Sequence, residues 1–124
     1  MLKDYRLPAR GDARQAVILL HGLGDRGDGG LLELGRVWQR DLPECAFLCP
    51  DAPFAFDMAP PDFGGRPWFS LREFSPQAME EGVREAAPYL NGYIDHVLES
   101  LGLPPEKLAL AGFSQGTMMA LHVA

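Results

Sequence analysis

The chain has 124 residues, of which 47% are hydrophobic and 23% are charged, the balance expected of one globular domain around a single core. Its 17 Asp and Glu against 11 Lys and Arg give a net charge of −6, and no local basic stripe offsets the excess. Because an acidic surface repels phosphate backbones, the composition argues against a nucleic-acid partner.

The sequence has no pattern of a signal peptide or of a membrane span. The N-terminal residues include no apolar run of signal-peptide length, and no stretch approaches the roughly 20 apolar residues that a membrane span needs. We therefore expect a cytoplasmic protein without a stable membrane anchor.

The first predicted element is a strand at Gln15–Leu20, an almost wholly apolar run that ends at His21. This pattern is typical of a strand buried on both faces in a parallel sheet. A helix over 31–40 follows, predicted from the helical spacing of Leu31, Leu34, Val37 and Trp38. A second strand over 46–49 completes a β-α-β unit.

The two cysteines lie directly before and at the end of the second strand. Alternation places Cys45, Phe47 and Cys49 on one face, which predicts two buried thiols. A zinc site would need two further ligands at suitable spacing, and no His or Cys pair supplies them. No metal is expected.

A long helix is predicted from Ser75, as N-cap, to Leu101, because apolar residues recur there every three or four positions. Pro88 is expected to kink or divide this helix near Arg84, and Gly102 is expected to end it. Residues 50–75, before it, show little periodicity and predict a long loop.

Another short strand is predicted over 107–112, and a further helix starts at Gln115. Strands that alternate with helices predict the α/β class, with a mainly parallel sheet and flanking helices. No linker or repeat divides residues 1–124, so a single domain is expected.

The strongest chemical signal is the G-x-S-x-G sequence from Gly112 to Gly116, between the last strand and the last helix. This is the context of a nucleophile elbow, in which a strained turn exposes the serine and the flanking glycines let the chain pass close to itself. Ser114 is the predicted nucleophile, and the backbone N–H of Gln115 is a predicted oxyanion donor. The alternative is an ordinary glycine-rich turn with a bystander serine.

A second glycine-rich turn, His21 to Asp25, follows the first buried strand. A loop in this place can supply the other oxyanion donor, for which the backbone N–H of Leu23 is the candidate. The side chains of His21 and Asp25 are expected to brace the turn through hydrogen bonds.

The same loop also matches the G-x-G-x-x-G pattern of dinucleotide-binding proteins, over residues 22–27. Asp25 would then lie where the phosphates bind, and no acidic residue clearly ends the next strand. Dinucleotide binding is therefore the less favoured alternative.

Taken in order, the motifs 20–25 (LHGLGD), 50–53 (PDAP), Trp68-Phe69 and 112–116 (GFSQG) resemble the phospholipase/carboxylesterase family of α/β-hydrolases, which includes acyl-protein thioesterases. The resemblance implies serine-dependent hydrolysis of carboxylic esters or thioesters without a cofactor. It assigns Ser114 as nucleophile and the amides of Leu23 and Gln115 as oxyanion hole. The family often has Asp after the Trp-aromatic pair, where Ser70 stands here.

In that family the triad acid and base follow the serine, on loops after later strands, whereas this chain stops ten residues after Ser114. We therefore expect an N-terminal portion of an α/β-hydrolase fold, with C-terminal strands and helices missing and no efficient turnover by the chain alone. His96 and His122 are expected to lie far from the serine. Only His21 is expected near it, and a pairing of the two is not favoured.

The aromatic loop suggests an acyl pocket. Its candidate lining residues are Phe54, Phe56, Met58, Phe63, Trp68 and Phe69. Of these, Trp68, Phe69 and Phe63 are the predicted substrate-binding residues, although each taken singly is more often a core residue. The non-enzymatic alternative is an inactive fragment or a module that associates, for example as a homodimer, through its incomplete sheet.

Overall fold

In the computed structural model, which describes residues 1–54, 67–69 and 75–124, the chain forms a mixed sheet with helices on both faces. The sheet has four strands among these residues, in the order β1-β3-β2-β4. The elements are β1 (Asp4–Leu7), β2 (Gln15–Leu20), α1 (Gly30–Gln39), β3 (Cys45–Pro50), α2 (Pro76–Leu101), β4 (Leu108–Gly112) and α3 (Gln115–Val123), with a 3₁₀ turn (Pro105–Lys107) before β4.

Strand β2 lies in the middle of the sheet and is parallel to both β3 and β4. Its alternating side chains pack into two cores: Ile18 and Leu20 lie against α2, and Leu19 lies in the cluster around α1. The prediction of a parallel strand buried on both faces is confirmed. The carboxyl ends of these three strands consequently meet at one edge of the sheet.

Strand β1 was not predicted. It pairs antiparallel with β3, Tyr5 opposite Cys49, so the sheet is mainly rather than wholly parallel. Only Leu7 of this strand is buried. The hydroxyl of Tyr93 on α2 donates a hydrogen bond of 2.7 Å to Asp4, which ties this edge strand to the long helix.

Helix α1 occurs where the spacing predicted it. Leu32 and Gly35 face the sheet, while Leu34, Val37 and Trp38 are exposed. The helix approaches the sheet closely at Gly35, where a Cβ atom would lie 3.0 Å from the Leu19 side chain. The prediction of a helix is thus confirmed, and three of the four apolar residues that indicated it lie on its exposed side.

Helix α2 runs unbroken through Pro88, so the proline does not divide it. Its N-cap is Ser75, whose hydroxyl accepts a 3.0 Å hydrogen bond from the backbone N–H of Ala78. It ends as predicted at Gly102, which has φ 65°. Its buried residues follow the predicted apolar stripe, including Val83, Ala86, Leu90 and Val97.

Both cysteines of β3 are buried and free, as predicted. Burial raises the pKa of the Cys45 thiol. Burial, together with Asp25, Asp51 and Asp28, raises the pKa of the Cys49 thiol from 9.0 to about 12. The thiols are therefore protonated at neutral pH and are not candidate nucleophiles.

None of the helices within the described ranges has the length and apolar character required to cross a bilayer.

Candidate functional site: a serine elbow beside a glycine-rich loop

Ser114 lies at a sharp turn between β4 and α3. Its backbone has φ 54° and ψ −117°, and within residues 1–54, 67–69 and 75–124 it is the only non-glycine residue with positive φ. Such a conformation costs about 1–3 kcal/mol and is typical of functional turns. The residue is exposed, so its hydroxyl is accessible at the carboxyl edge of the sheet.

The flanking glycines of this turn are required sterically. A Cβ atom at Gly112 would lie 2.6 Å from the carbonyl oxygen of Gly116, and one at Gly116 would overlap the carbonyl oxygen of Leu20. The backbone N–H of Phe113 also bonds to the Leu20 carbonyl oxygen, at 3.1 Å. The turn is thus held directly against the end of β2.

The loop that follows β2 reaches the same place. A Cβ atom at Gly22 would lie 3.3 Å from the Cβ atom of Ser114, so backbone and serine are nearly in contact. Leu23, the next residue, and Gln115, the first residue of α3, carry the two predicted oxyanion amides. Within the described chain, neither N–H group has a hydrogen-bond partner.

His21 supports this loop through contacts of both its ring nitrogens. Its ring is fully buried; Nε2 accepts a 3.0 Å hydrogen bond from the backbone N–H of Ala52, and Nδ1 lies 2.8 Å from the carbonyl oxygen of Gly22. Because Nε2 is an acceptor, Nδ1 carries the proton and donates it to that oxygen. This agrees with the bracing role expected of His21.

Both ring nitrogens of His21 are thus committed to backbone atoms, which leaves no support for a pairing with Ser114. The other two histidines lie on helices, His96 on α2 and His122 near the end of α3. Neither forms a hydrogen bond to Ser114 in the described residues.

Two backbone N–H groups of the glycine-rich loop already donate hydrogen bonds to carboxylates. Asp25 accepts a 2.8 Å hydrogen bond from the N–H of Arg26, and the buried Asp51 accepts one of 2.7 Å from the N–H of Gly27. A dinucleotide phosphate would need such amides and would meet two negative charges there. The arrangement argues against dinucleotide binding.

Trp68 and Phe69 are buried, with 0% and 2% of their surfaces exposed, and belong to the core under α2. Their expected contact with substrate stays a prediction. Phe63 lies outside the described residues, as do Phe56 and Met58 of the suggested acyl pocket. Phe54 is half-buried, and its ring packs edge-on against Tyr89 at 5.5 Å.

The side chain of Gln115 has a role that the sequence did not reveal. It is buried and forms hydrogen bonds with the backbone of Trp68 and Phe69. The sequence singled out only the backbone of Gln115, because partners 46 and 47 residues away leave no local pattern.

The chain is similar to one family of known sequences and to several solved structures. The family model for phospholipase/carboxylesterase matches residues 7–124. The solved structure of esterase PE8 is similar at a TM-score of 0.88 and 35% identity, covering 98% of this chain and 56% of that one.

Two plant proteins are also similar. A structure of a single-substitution variant of Arabidopsis thaliana SOBER1 gives a TM-score of 0.70 at 29% identity, over 90% of this chain and 54% of its own. Zea mays acyl-protein thioesterase 2 gives a TM-score of 0.53 at 26% identity, and the match covers 99% of this chain and 51% of that protein. The chain thus spans about half the length of the structures it matches.

Proposed function

Because this chain belongs to the phospholipase/carboxylesterase family, we propose that it carries the nucleophile and oxyanion hole of a serine hydrolase acting on carboxylic esters or thioesters. The observation that carries the proposal is the backbone of Ser114, held with positive φ on an exposed turn between strand and helix. Similarity to an esterase and to an acyl-protein thioesterase supports this bond class. Acyl transfer through serine needs no cofactor.

In the proposed reaction the Oγ atom of Ser114 attacks the carbonyl carbon, and a general base accepts its proton. The carbonyl π electrons move to oxygen, and the oxyanion accepts hydrogen bonds from the N–H groups of Leu23 and Gln115. Collapse expels the alcohol or thiol with that proton and leaves an acyl-serine, which water then hydrolyses by the same steps.

Among the described residues no side chain is bonded to Ser114 as its general base. The three histidines of the chain are all described, and none is bonded to Ser114. Since general-base activation requires contact near 3 Å, the 124-residue chain alone is proposed to hydrolyse esters inefficiently. We also propose that residues 1–124 form part of a single domain, with a small-molecule or acyl ester as substrate.

Active-serine labelling tests the proposal. A fluorophosphonate applied to the full-length gene product should form a phosphonyl-serine at Ser114 with loss of fluoride, and labelling should vanish in Ser114→Ala. Thr117→Ala, an exposed hydroxyl on α3, is the matched control and should label as wild type. Labelling that persists in Ser114→Ala would refute the assignment.

A second candidate function is association through the open side of the sheet. In the described residues β4 pairs only with β2, and three apolar residues that follow β4 in the chain, Phe113, Met118 and Leu121, are exposed by 65%, 41% and 77%. An apolar cavity of about 560 Å³ lies between α2 and α3, lined in part by Ile94 and Leu110. Exposed apolar surface and strand edges favour self-association.

Light scattering on the 124-residue chain tests this alternative. Association through this side predicts a mass that rises with concentration, and Leu121→Lys should shift the chain toward monomer. A monomer at all concentrations would exclude a homodimer as its function.

A further inference from the structure

The buried side chain of Gln115 joins the serine turn to a distant backbone segment. Its Oε1 atom accepts a 2.7 Å hydrogen bond from the N–H of Trp68, and its Nε2 atom donates one of 3.0 Å to the carbonyl oxygen of Phe69. Only 3% of the residue is exposed. An amide that bonds two consecutive residues at once has a fixed orientation, so the segment cannot shift without breaking both bonds.

Trp68 extends this connection to the glycine-rich loop. Its indole Nε1 donates a 3.0 Å hydrogen bond to the carbonyl oxygen of His21, two residues before Leu23. The indole is fully buried, and its ring lies 5.9 Å from that of His21. Two buried residues therefore link the start of α3 to the loop after β2.

We propose that the side-chain amide of Gln115 is a positioning group, which holds the Leu23 loop against the serine turn through Trp68 and so sets the spacing of the two oxyanion amides. The inference rests on the proposed function, because only an oxyanion hole requires that spacing. Gln115 then acts twice: its backbone N–H faces the substrate oxygen, and its side chain fixes the place of the other donor.

The expected effect lies in kcat. Loss of one oxyanion donor typically lowers kcat by about 10²–10³-fold, and a shift of about 1 Å in a reacting group costs about 10²-fold. Ground-state binding of the acyl group does not depend on the spacing of these amides. A positioning role therefore lowers kcat and leaves KM nearly unchanged.

The test is Gln115→Met in the full-length protein, which keeps the side-chain length and removes both hydrogen bonds. We expect kcat for an ester to fall about 100-fold, with KM within about threefold of wild type. The matched control is Gln39→Met. Gln39 also donates to backbone carbonyls, those of Leu7, Pro8 and Cys45, but at the opposite end of the sheet. Gln39→Met should lower the free energy of unfolding and leave kcat unchanged.

Tryptophan fluorescence provides a readout that does not depend on activity. Residues 1–124 contain two tryptophans, and replacing the exposed Trp38, together with any tryptophan outside these residues, by Phe leaves Trp68 as the reporter. Emission of Trp68 should shift in Gln115→Met. In Gln115→Glu it should shift at neutral pH and return toward wild type on acidification, because a carboxylic acid can accept from Trp68 and donate to Phe69 as the amide does.

The outcomes separate this inference from the proposed function. If wild type is not labelled at Ser114, the hydrolase assignment fails, and the inference fails with it. If wild type is labelled but Gln115→Met keeps kcat within threefold while Trp68 emission shifts, the hydrolase stands and the positioning role is overturned. Should Gln115→Met not fold, Trp68→Phe removes the indole donor and keeps a smaller aromatic ring in the core. A kcat reduced about tenfold supports the link, and an unchanged kcat overturns it.

Discussion

Strands β3 and β4 have similarly apolar sequences and very different surroundings. All six residues of β3 are buried between β1 and β2, whereas the residues of β4 are half-buried or exposed. In the described residues β4 has one neighbouring strand and β3 has two. Burial is thus decided by what lies beside a strand, and apolar composition alone does not predict it.

At their carboxyl ends, β3 and β4 are both closely connected to β2. The turn after β4 is bonded to the end of β2 through Phe113 and Leu20, and the ends of β2 and β3 are joined through His21 and Ala52. The candidate site is therefore tightly held although it borders the open side of the sheet. The predictions below test this contrast, from the largest expected effect to the smallest.

The largest effect is expected at the serine turn. Gly116→Ala places a methyl group on the Leu20 carbonyl oxygen, which only a backbone movement can relieve, and should lower the free energy of unfolding by about 4 kcal/mol or more. The control is Gly92→Ala on α2, where a Cβ atom meets nothing within 4 Å and should raise stability by about 0.5–1 kcal/mol. Urea unfolding measures both.

If Gly116→Ala were as stable as wild type, the turn would not be packed against β2 as described. The carboxyl ends of the strands would then be no more closely packed than the open side of the sheet.

The two sides of the sheet should respond differently to truncation. Leu90→Ala removes a fully buried side chain of α2 and should lower the free energy of unfolding by about 2–5 kcal/mol. Leu121→Ala on α3 removes a side chain that is 77% exposed and should change it by less than about 0.5 kcal/mol. Equal losses in thermal or urea unfolding would show that the β4 side is covered in solution.

The smallest effect is expected in the pH dependence of stability, through the buried thiol of Cys49 on β3. The thiol of Cys49 keeps its proton up to a pKa of about 12 when folded, whereas its ordinary pKa is 9.0. Between these values the unfolded chain binds fewer protons, so stability should fall as pH rises above 9.0. Cys49→Ala should show a shallower decline than wild type. Parallel declines from about pH 9 to about pH 11 would contradict the burial of this thiol.

The sequence predicted those parts of the molecule that depend on neighbouring residues. The strand at Gln15–Leu20 and the cap at Ser75 have local signatures, and both occur as expected. Strand β1 was missed because it has four residues, two of them charged, and its partner β3 lies some 40 residues away. The buried face of α1 could not be read from its apolar residues, because Leu34 and Val37 lie on its exposed side.

The candidate site divides in the same way. The G-x-S-x-G pattern identified the turn at Ser114, since its five residues are consecutive and lie between a predicted strand and a predicted helix. The supports of the glycine-rich loop and of the serine turn come from distant segments: Asp51 bonds to Gly27 across 24 residues, and Gln115 bonds to Trp68 across 47. Polar contacts of this kind have no sequence period, and only the folded chain brings the partners together.

The most direct test of the central claim is a crystal structure of the full-length protein after reaction with a fluorophosphonate. The claim is that the amides of Leu23 and Gln115 converge beside the Oγ atom of Ser114. We expect the phosphonyl group on Ser114, with its oxygen about 2.7–3.1 Å from both backbone nitrogens. An adduct on another residue, or an oxygen on Ser114 bonded to neither amide, would contradict the account.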